Sequence, residues 1–293
     1  MTDYVFVADT YNHRIVKRLA SDLSYVSKIG TEGSGDDQFS YPMGIAASGD
    51  YVYVADTLNH RIVKRLASDL SFVSKIGTQG SGDDQFFSPY EIAVSGDYVY
   101  VADSSNYRIV KRLAADLSFV SKIGTQGSGD DQFKYPYGIA ASGDYVYVAD
   151  SDNNRIVKRL ASDLSYVSEI GSYGTGDDQF NYPFGIAASG DYVFVADTFN
   201  CRIVKRLASD LSYVSKIGTE GTGDDQFYYP VGIAVSEEEE EPIFTIDVTN
   251  DPYILISGTT AECLQHLANQ HVSESEIIKL WYNGTNTSCT YRR

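Results

Sequence analysis

The stretch Tyr51-Val-Tyr-Val-Ala-Asp-Thr-Leu-Asn-His-Arg-Ile-Val-Lys-Arg-Leu-Ala67 contains two runs that favour β-strands, separated by a short polar turn. Nearly the same stretch returns every 47 residues, and its first tyrosine stands at Tyr4, Tyr51, Tyr98, Tyr145 and Tyr192. A fixed period of this length predicts a solenoid or a propeller, in which each unit buries its apolar faces against its neighbours.

One repeat, from Asp50 to Gly96, distinguishes these two architectures. Strands are predicted at 51–55, 61–67, 71–76 and 92–95, and short polar turns join them as a meander. The glycine-rich stretch 77–89 is long enough to reach a neighbouring sheet. No segment of the repeat has the apolar period of a helix, which excludes helical solenoids. Four strands repeated at this length predict a propeller blade.

The repeat also resembles a known family. The segment Val54 to Ile62 (Val-Ala-Asp-Thr-Leu-Asn-His-Arg-Ile), the Gly-rich stretch Gly77 to Phe86 and the Pro-x-Gly-Ile-Ala motif at Pro42 to Ala46 are similar to the NHL repeat of β-propellers. The resemblance covers residues 3–236 and implies an all-β propeller. The paired Asp before Gln-Phe departs from that family, as does the number of copies, which is five where NHL propellers usually have six.

The chain enters the repeats at a second strand, 4–8, and leaves them after a first strand, 232–236. Five sets of strands are therefore complete if Ile233 to Val235 pairs with the N-terminal strand. We predict a five-bladed, NHL-like β-propeller with four-stranded blades, closed by this C-terminal innermost strand, because such closure leaves no open central edge.

Three segments are predicted along the chain: the propeller at 1–236, an acidic linker at 237–241 and a small α/β domain at 242–293. Within the last segment, strands are predicted at 243–248, 253–256, 277–282 and 289–291, and a capping-box signal after Thr259 predicts a helix. A domain this small is expected to dock or to support oligomerisation. Cys263 and Cys289 fit either a disulfide or two buried thiols.

The composition limits the classes of partner that this chain is expected to bind. The chain has 23 Lys and Arg against 40 Asp and Glu, a net charge of −17, which disfavours nucleic acids and anionic membranes. No apolar run is long enough for a membrane span, and Met1-Thr2 leads directly into a strand. We therefore expect a soluble protein without a signal peptide, in a compartment that the sequence does not indicate.

Two sets of polar residues repeat in every blade. Asp56, Asn59 and Arg61 bracket the turn between the second and third strands, and we predict that they satisfy the turn's backbone. The paired carboxylates fit either turn hydrogen bonding or, with lower weight, ligands for Ca²⁺. These pairs are Asp36-Asp37, Asp83-Asp84, Asp130-Asp131, Asp177-Asp178 and Asp224-Asp225.

Catalysis is not expected from this sequence. No repeat places His13 or His60 at ligand spacing from a Cys or a carboxylate, and His266 and His271 lie outside the repeats. Some NHL-like propellers are metal-dependent lyases or lactonases, whose central residues differ from blade to blade. A nearly uniform ring lacks the asymmetry that distinct acid, base and ligand roles require. The prediction is a protein that is not an enzyme and needs no cofactor.

The positions that vary between repeats lie in the second-to-third turn and in the connection between blades, which share one end of the strands. They are rich in Tyr and Phe, as binding surfaces are. The predicted binding residues are Tyr11, His13, Met43, Leu58, His60, Phe87, Tyr90, Tyr107, Lys134, Tyr137, Asp152, Asn154, Tyr173, Phe184, Phe199 and Tyr228.

Three functions are compatible with this pattern. The first is non-enzymatic recognition of a protein or glycan through the variable face. The second is a structural subunit that assembles head to tail into fibres or stacked rings, with the C-terminal domain as the connection. The third, least favoured, is a metal-dependent lyase or lactonase-like enzyme.

Overall fold

A computed structural model describes residues 4–235, 253–258, 277–282 and 287–292. The chain divides into two compact units, Met1–Val235 and Ser236–Arg293. The first unit is a β-propeller of five antiparallel sheets in chain order, as predicted. Within the described residues, helix is limited to short 3-10 turns, and none of these could cross a membrane.

Each complete blade is a meander, and its first strand lies innermost. The first blade contains β1 (Tyr4–Asp9), β2 (Arg14–Leu19) and β3 (Tyr25–Ile29). The second contains β4 (Pro42–Ser48), β5 (Tyr51–Asp56), β6 (Arg61–Leu66) and β7 (Phe72–Ile76), and the third contains β8 (Pro89–Ser95), β9 (Tyr98–Asp103), β10 (Arg108–Leu113) and β11 (Phe119–Ile123). The fourth contains β12 (Pro136–Ser142), β13 (Tyr145–Asp150), β14 (Arg155–Leu160) and β15 (Tyr166–Ile170), and the fifth contains β16 (Pro183–Ser189), β17 (Tyr192–Asp197), β18 (Arg202–Leu207) and β19 (Tyr213–Ile217).

The apolar core lies between blades, where side chains from the facing sheets interdigitate. Between the first two blades, Ile15 and Phe39 pack with Val52, Val63 and Leu70. Equivalent clusters fill the next three interfaces. Because the three central blades bury apolar side chains on both faces, each of them is stabilised by a neighbour on either side.

A buried arginine accompanies each of these clusters. The Arg65 side chain is fully buried, with its guanidinium 5.3 Å from the centre of the Phe39 ring. It donates to the carbonyl of Leu70 at 2.6 Å, to the carbonyl of Asp36 and to the carboxylate of Asp37 at 3.0 Å. The charge is therefore removed from water and compensated by the preceding blade. The same arrangement recurs at Arg112, Arg159 and Arg206.

The first blade differs from the prediction, because its sheet has three strands and residues 230–235 form no strand. The predicted pairing of Ile233–Val235 with the N-terminal strand is therefore absent, and the ring is not closed by a C-terminal innermost strand. Val5 is 38% exposed and Leu23 is 56% exposed, whereas the equivalent Val52 and Leu70 are 0% and 2% exposed.

The described strands of the second unit are β20 (Tyr253–Gly258), β21 (Ile277–Tyr282) and β22 (Thr287–Arg292). They form one antiparallel sheet in the order β20-β22-β21. The strands predicted at 253–256, 277–282 and 289–291 are confirmed. The predicted linker, the strand at 243–248 and the helix after Thr259 lie outside the described residues.

The buried guanidinium can be tested with a matched pair of variants. Arg112→Ala should lower the free energy of unfolding by about 3 kcal/mol, because three oxygen partners and the Phe86 ring lose a fully buried cation. Arg18→Ala, at the equivalent position of the first blade, should cost less than about 1 kcal/mol because no preceding blade covers that side chain. Urea unfolding of both variants measures the difference. Equal losses would show that a partner also buries Arg18.

Candidate functional site

The candidate site lies on the face that carries the turns between second and third strands, and a buried carboxylate fixes each turn. The Asp56 carboxylate accepts from the backbone N–H of Ser40 at 2.7 Å, from Asn59 Nδ2 at 2.9 Å and from Arg61 Nε at 2.7 Å. Burial raises the pKa of Asp56, and these three donors oppose that shift. Asp103, Asp150 and Asp197 repeat the arrangement. The predicted structural role of this set is confirmed.

The residue that follows each turn has left-handed backbone, and in three of the five repeats its side chain accepts a backbone N–H group of the following connection. His60, at φ 55°, accepts the backbone N–H of Ser88 on Nδ1 at 3.1 Å, and His13 accepts that of Tyr41 at 3.2 Å. Asn154 plays the same part with its Oδ1, which accepts from the backbone N–H of Tyr182 at 2.9 Å. Burial lowers the pKa of His60, which favours the neutral imidazole that this hydrogen bond requires. These variable residues therefore help to hold the connections in place.

Aromatic side chains from different repeats meet across this face, which we call the aromatic face. Tyr137 stacks on Phe184 with ring centres 4.5 Å apart, and Phe199 lies 5.2 Å from Tyr182. Further pairs with centres between 4.5 and 6.1 Å extend the series through Tyr11 and Tyr41, His13 and Tyr41, His60 and Phe87, Tyr107 and Tyr135, Tyr135 and Tyr137, Phe199 and Tyr229, and Tyr228 and Tyr229.

The predicted binding residues differ in how much of their surface is available. Tyr11, Tyr173 and Tyr228 are 81%, 71% and 68% exposed. Leu58, Phe87 and Phe199 keep about half of their surface exposed. Lys134 and Asp152 form an ion pair at 3.2 Å, so the connection before the fourth blade is also joined by charge to the turn of that blade. Exposed rings stand beside rings that are packed, which gives the face both contact area and rigidity.

Four tyrosines of the aromatic face were not predicted, because tyrosine stands at their position in four of the five repeats. Tyr41, Tyr135, Tyr182 and Tyr229 precede the repeated proline, and all four have φ between 50° and 56°. An aromatic residue in left-handed backbone is uncommon, because only glycine adopts that conformation without cost. The signal in the sequence was the Tyr-Pro dipeptide that opens four of the five inner segments.

Three rings meet at the mouth of the central channel. Tyr90, Tyr137 and Phe184 occupy equivalent positions on the inner strands β8, β12 and β16, and Met43 has the same position on β4. Tyr90 contacts Tyr137 at 4.8 Å and Phe184 at 5.2 Å. Because β8 and β16 are separated by β12, these contacts cross the channel axis. Burial raises the pKa of Tyr90 to about 12, so its hydroxyl stays protonated.

Glu91, which follows Tyr90, breaks the uniformity of the inner strands. Glycine occupies the equivalent position at Gly44, Gly138 and Gly185. At Gly44 a Cβ would lie 2.5 Å from the carbonyl oxygen of Tyr90, so the strands approach closely there. The Glu91 carboxyl accepts the backbone N–H of Ile92 at 3.2 Å and that of Ile45. The residue is half-buried, and burial raises the pKa of its carboxyl from 4.5 to about 7.

The paired carboxylates considered for Ca²⁺ lie beside cations of the next blade. Asp37 pairs with Arg65 at 3.0 Å, and Asp36 accepts from Lys75 at 2.8 Å. The pairs Asp83-Asp84 and Asp177-Asp178 repeat this arrangement. Among the described residues, no group of three or more His, Cys, Asp or Glu side chains could hold a metal ion. The geometry gives these carboxylates a role between blades that neither prediction had described.

Comparison with known sequences identifies a repeat. The profile of the LVIVD repeat matches residues 41–63, 90–110, 136–175 and 184–202, which supports the propeller. The resemblance to NHL repeats is not confirmed. No curated protein sequence matches this chain.

Solved structures share the fold at low sequence identity. A streptogramin B lyase matches with a TM-score of 0.57 and 13% identity over 79% of this chain and 69% of the enzyme. A catalytically inactive variant of virginiamycin B lyase from Staphylococcus aureus, solved with quinupristin, matches with a TM-score of 0.53 and 14% identity. That match covers 71% of this chain and 64% of the lyase.

The prediction that this chain is not an enzyme is wrong, because structures that share its fold are lyases. That prediction assumed a nearly uniform ring. The ring is not uniform at its centre, where Glu91 places one carboxyl among glycines. Likeness at 13–14% identity shows the fold and does not assign the reaction of those enzymes to this chain.

The raised pKa of Glu91 predicts a pH-dependent stability. Because the folded protein binds this proton more tightly than the unfolded chain, the contribution is present below pH 4.5 and is lost as the pH rises through about 7. Glu91→Gln should be more stable than the wild type by about 3 kcal/mol at alkaline pH, and about equal to it at acidic pH. Urea unfolding across this pH range tests the difference, with exposed Glu32→Gln as the control. Parallel pH profiles for wild type and Glu91→Gln would contradict the assignment.

Proposed function

We propose that the propeller recognises a partner, a protein or a glycan, on the aromatic face. The observation that carries the proposal is the series of aromatic contacts that crosses the repeats while Tyr11, Tyr173 and Tyr228 remain largely exposed. Exposed aromatic side chains gathered on one face are unfavourable in water unless they contact a partner. The breadth of this surface, which spans connections of all five repeats, suits a protein better than a short glycan.

The scaffold supports recognition because the face is rigid before binding. The turns are fixed by Asp56 and its equivalents, and the connections are joined to them by His13, His60 and Asn154. Tyrosine adds a large contact area with only two side-chain torsions to order. A partner therefore binds without the cost of ordering the loops that carry these rings.

A triple variant tests this function. Tyr11→Ala/Tyr173→Ala/Tyr228→Ala removes the three most exposed rings of the face and should weaken partner binding at least tenfold, with little change in thermal unfolding. The matched control is Tyr25→Ala, because Tyr25 is 56% exposed and lies on β3, the outermost strand of the first blade. The purified chain is screened against a glycan array and a displayed peptide library, and hits are titrated by calorimetry. Hits that bind the triple variant and the wild type equally would refute the proposal.

Self-association is a second candidate, favoured by the two ends of the ring. In each internal interface an arginine such as Arg65 meets the aspartate and phenylalanine of the preceding blade, Asp37 and Phe39. The first blade presents Arg18 and Leu23 without a preceding blade, and the fifth presents residues 224–227 without a following blade. Head-to-tail contact between two copies would place Arg18 beside Asp225 and Phe227, with Leu23 against the same apolar surface.

Charge reversal separates this candidate from a monomeric receptor. The wild type should gain mass with concentration in light scattering, and Asp225→Arg should lower that tendency at least tenfold by placing like charges together. Adding Arg18→Asp should restore it, whereas Asp116→Arg, on the opposite turns, should have no effect. A wild type that stays monomeric at high micromolar concentration would exclude assembly through these faces.

A further inference from the structure

The mouth of the central channel has the chemistry of a site for an organic cation. We propose that Glu91, with the rings of Tyr90, Tyr137 and Phe184, binds an ammonium or guanidinium group of the ligand. The proposal rests on the function proposed above, since these three rings belong to the aromatic face. It adds the chemical class of the group that enters the centre.

The Glu91 carboxyl has hydrogen-bonding capacity that the described residues leave unused. Glu91 stands where Gly44, Gly138 and Gly185 allow the inner strands to approach closely, so it adds a side chain that the equivalent positions of these blades lack. Its recorded donors are the backbone N–H groups of Ile92 and Ile45. A carboxylate can accept about four hydrogen bonds, so capacity for a ligand donor remains.

No cation among the described residues pairs with Glu91. Every ion pair recorded among the described residues joins other groups, and none includes Glu91. The inner strands β4, β8, β12 and β16 carry no lysine or arginine. An anionic carboxyl inside the ring is costly without a counter-ion. A cation supplied by the ligand would offset that cost.

The three rings at the channel mouth also favour a cation. Aromatic faces attract cations through their quadrupole, most strongly where water is excluded. Tyr90, Tyr137 and Phe184 lie within 5.2 Å of one another at the channel mouth, and Glu91 follows Tyr90 on the same strand. Burial raises the pKa of the Tyr90 hydroxyl, and Glu91 lies close enough to Tyr90 for its negative charge to add to that shift. Rings and carboxylate together recognise an ammonium group more selectively than either does alone.

This chain already binds ammonium groups in a comparable way at other positions. Lys64 Nζ lies 3.6 Å from the centre of the Tyr51 ring and donates to the carbonyls of Ala114 and Ala115 at 2.8 and 2.7 Å. There the cation, the ring and the oxygens all come from the chain itself. At the channel mouth the ring and the oxygen are present, and no described lysine or arginine lies over the three rings.

Titration of the full chain with three small probes tests the proposal. Choline and arginine amide should bind at millimolar concentration, whereas the neutral carbon isostere of choline should bind at least tenfold more weakly. Ring signals of Tyr90, Tyr137 and Phe184 in NMR spectra should shift with both cations. Failure of both cations to bind the wild type, or equal binding of the neutral isostere, would overturn the proposal.

Substitutions of Glu91 test whether its carboxyl forms part of the binding site. Glu91→Gln keeps the size of the side chain and should weaken choline binding about tenfold, and Glu91→Gly, which introduces the residue of the other blades, should weaken it as much. Glu32→Gln, an exposed carboxyl on the same face, should bind as the wild type does. Unchanged binding in Glu91→Gln would refute the site. Partner binding that is sensitive to the Tyr11, Tyr173 and Tyr228 substitutions but not to Glu91→Gln would leave the proposed function intact and reject only this inference.

Discussion

The buried guanidinium between blades is the interaction on which the rest of this propeller depends. Arg65 reaches from β6 into the connection of the preceding blade, where it meets the Asp36 carbonyl and the Asp37 carboxylate. A planar group with five donors can satisfy several oxygens at once, which an ammonium at the end of a flexible stem cannot do with the same geometry. Because removing a partner from a buried charge is strongly destabilising, each guanidinium ties the connection of one blade to the third strand of the next.

That interaction also explains what the sequence could and could not predict. The Asp56, Asn59 and Arg61 set was predicted correctly because its members lie within six residues of one another, and a local turn limits what they can do. The role of Asp36 and Asp37 was not predicted, since their cations lie 28 to 39 residues further along the chain. In a near-perfect repeat, residue spacing alone does not show which neighbouring copy supplies a partner.

The predictions of ring closure and of a uniform ring centre were wrong for different reasons. The number of strands is written in the sequence, but the pairing of the two ends of the propeller is not, so a correct count of strands still gave the wrong end pairing. Glu91 was visible as one departure from glycine in the Pro-x-Gly-Ile-Ala motif. Its meaning depends on how closely neighbouring inner strands approach, which the repeat pattern does not contain.

The separation between stabilising and variable residues gives the aromatic face its capacity for recognition. The residue after each turn is His13, His60, Tyr107, Asn154 or Cys201, yet its φ stays between 51° and 56°. The backbone N–H of that residue donates within its own turn, for example from His60 to the carbonyl of Thr57, so the conformation does not depend on which side chain is present. Side chains on this face can therefore change without altering the turn. At the channel mouth the side chains are not independent in this way, because Tyr90, Tyr137 and Phe184 contact one another.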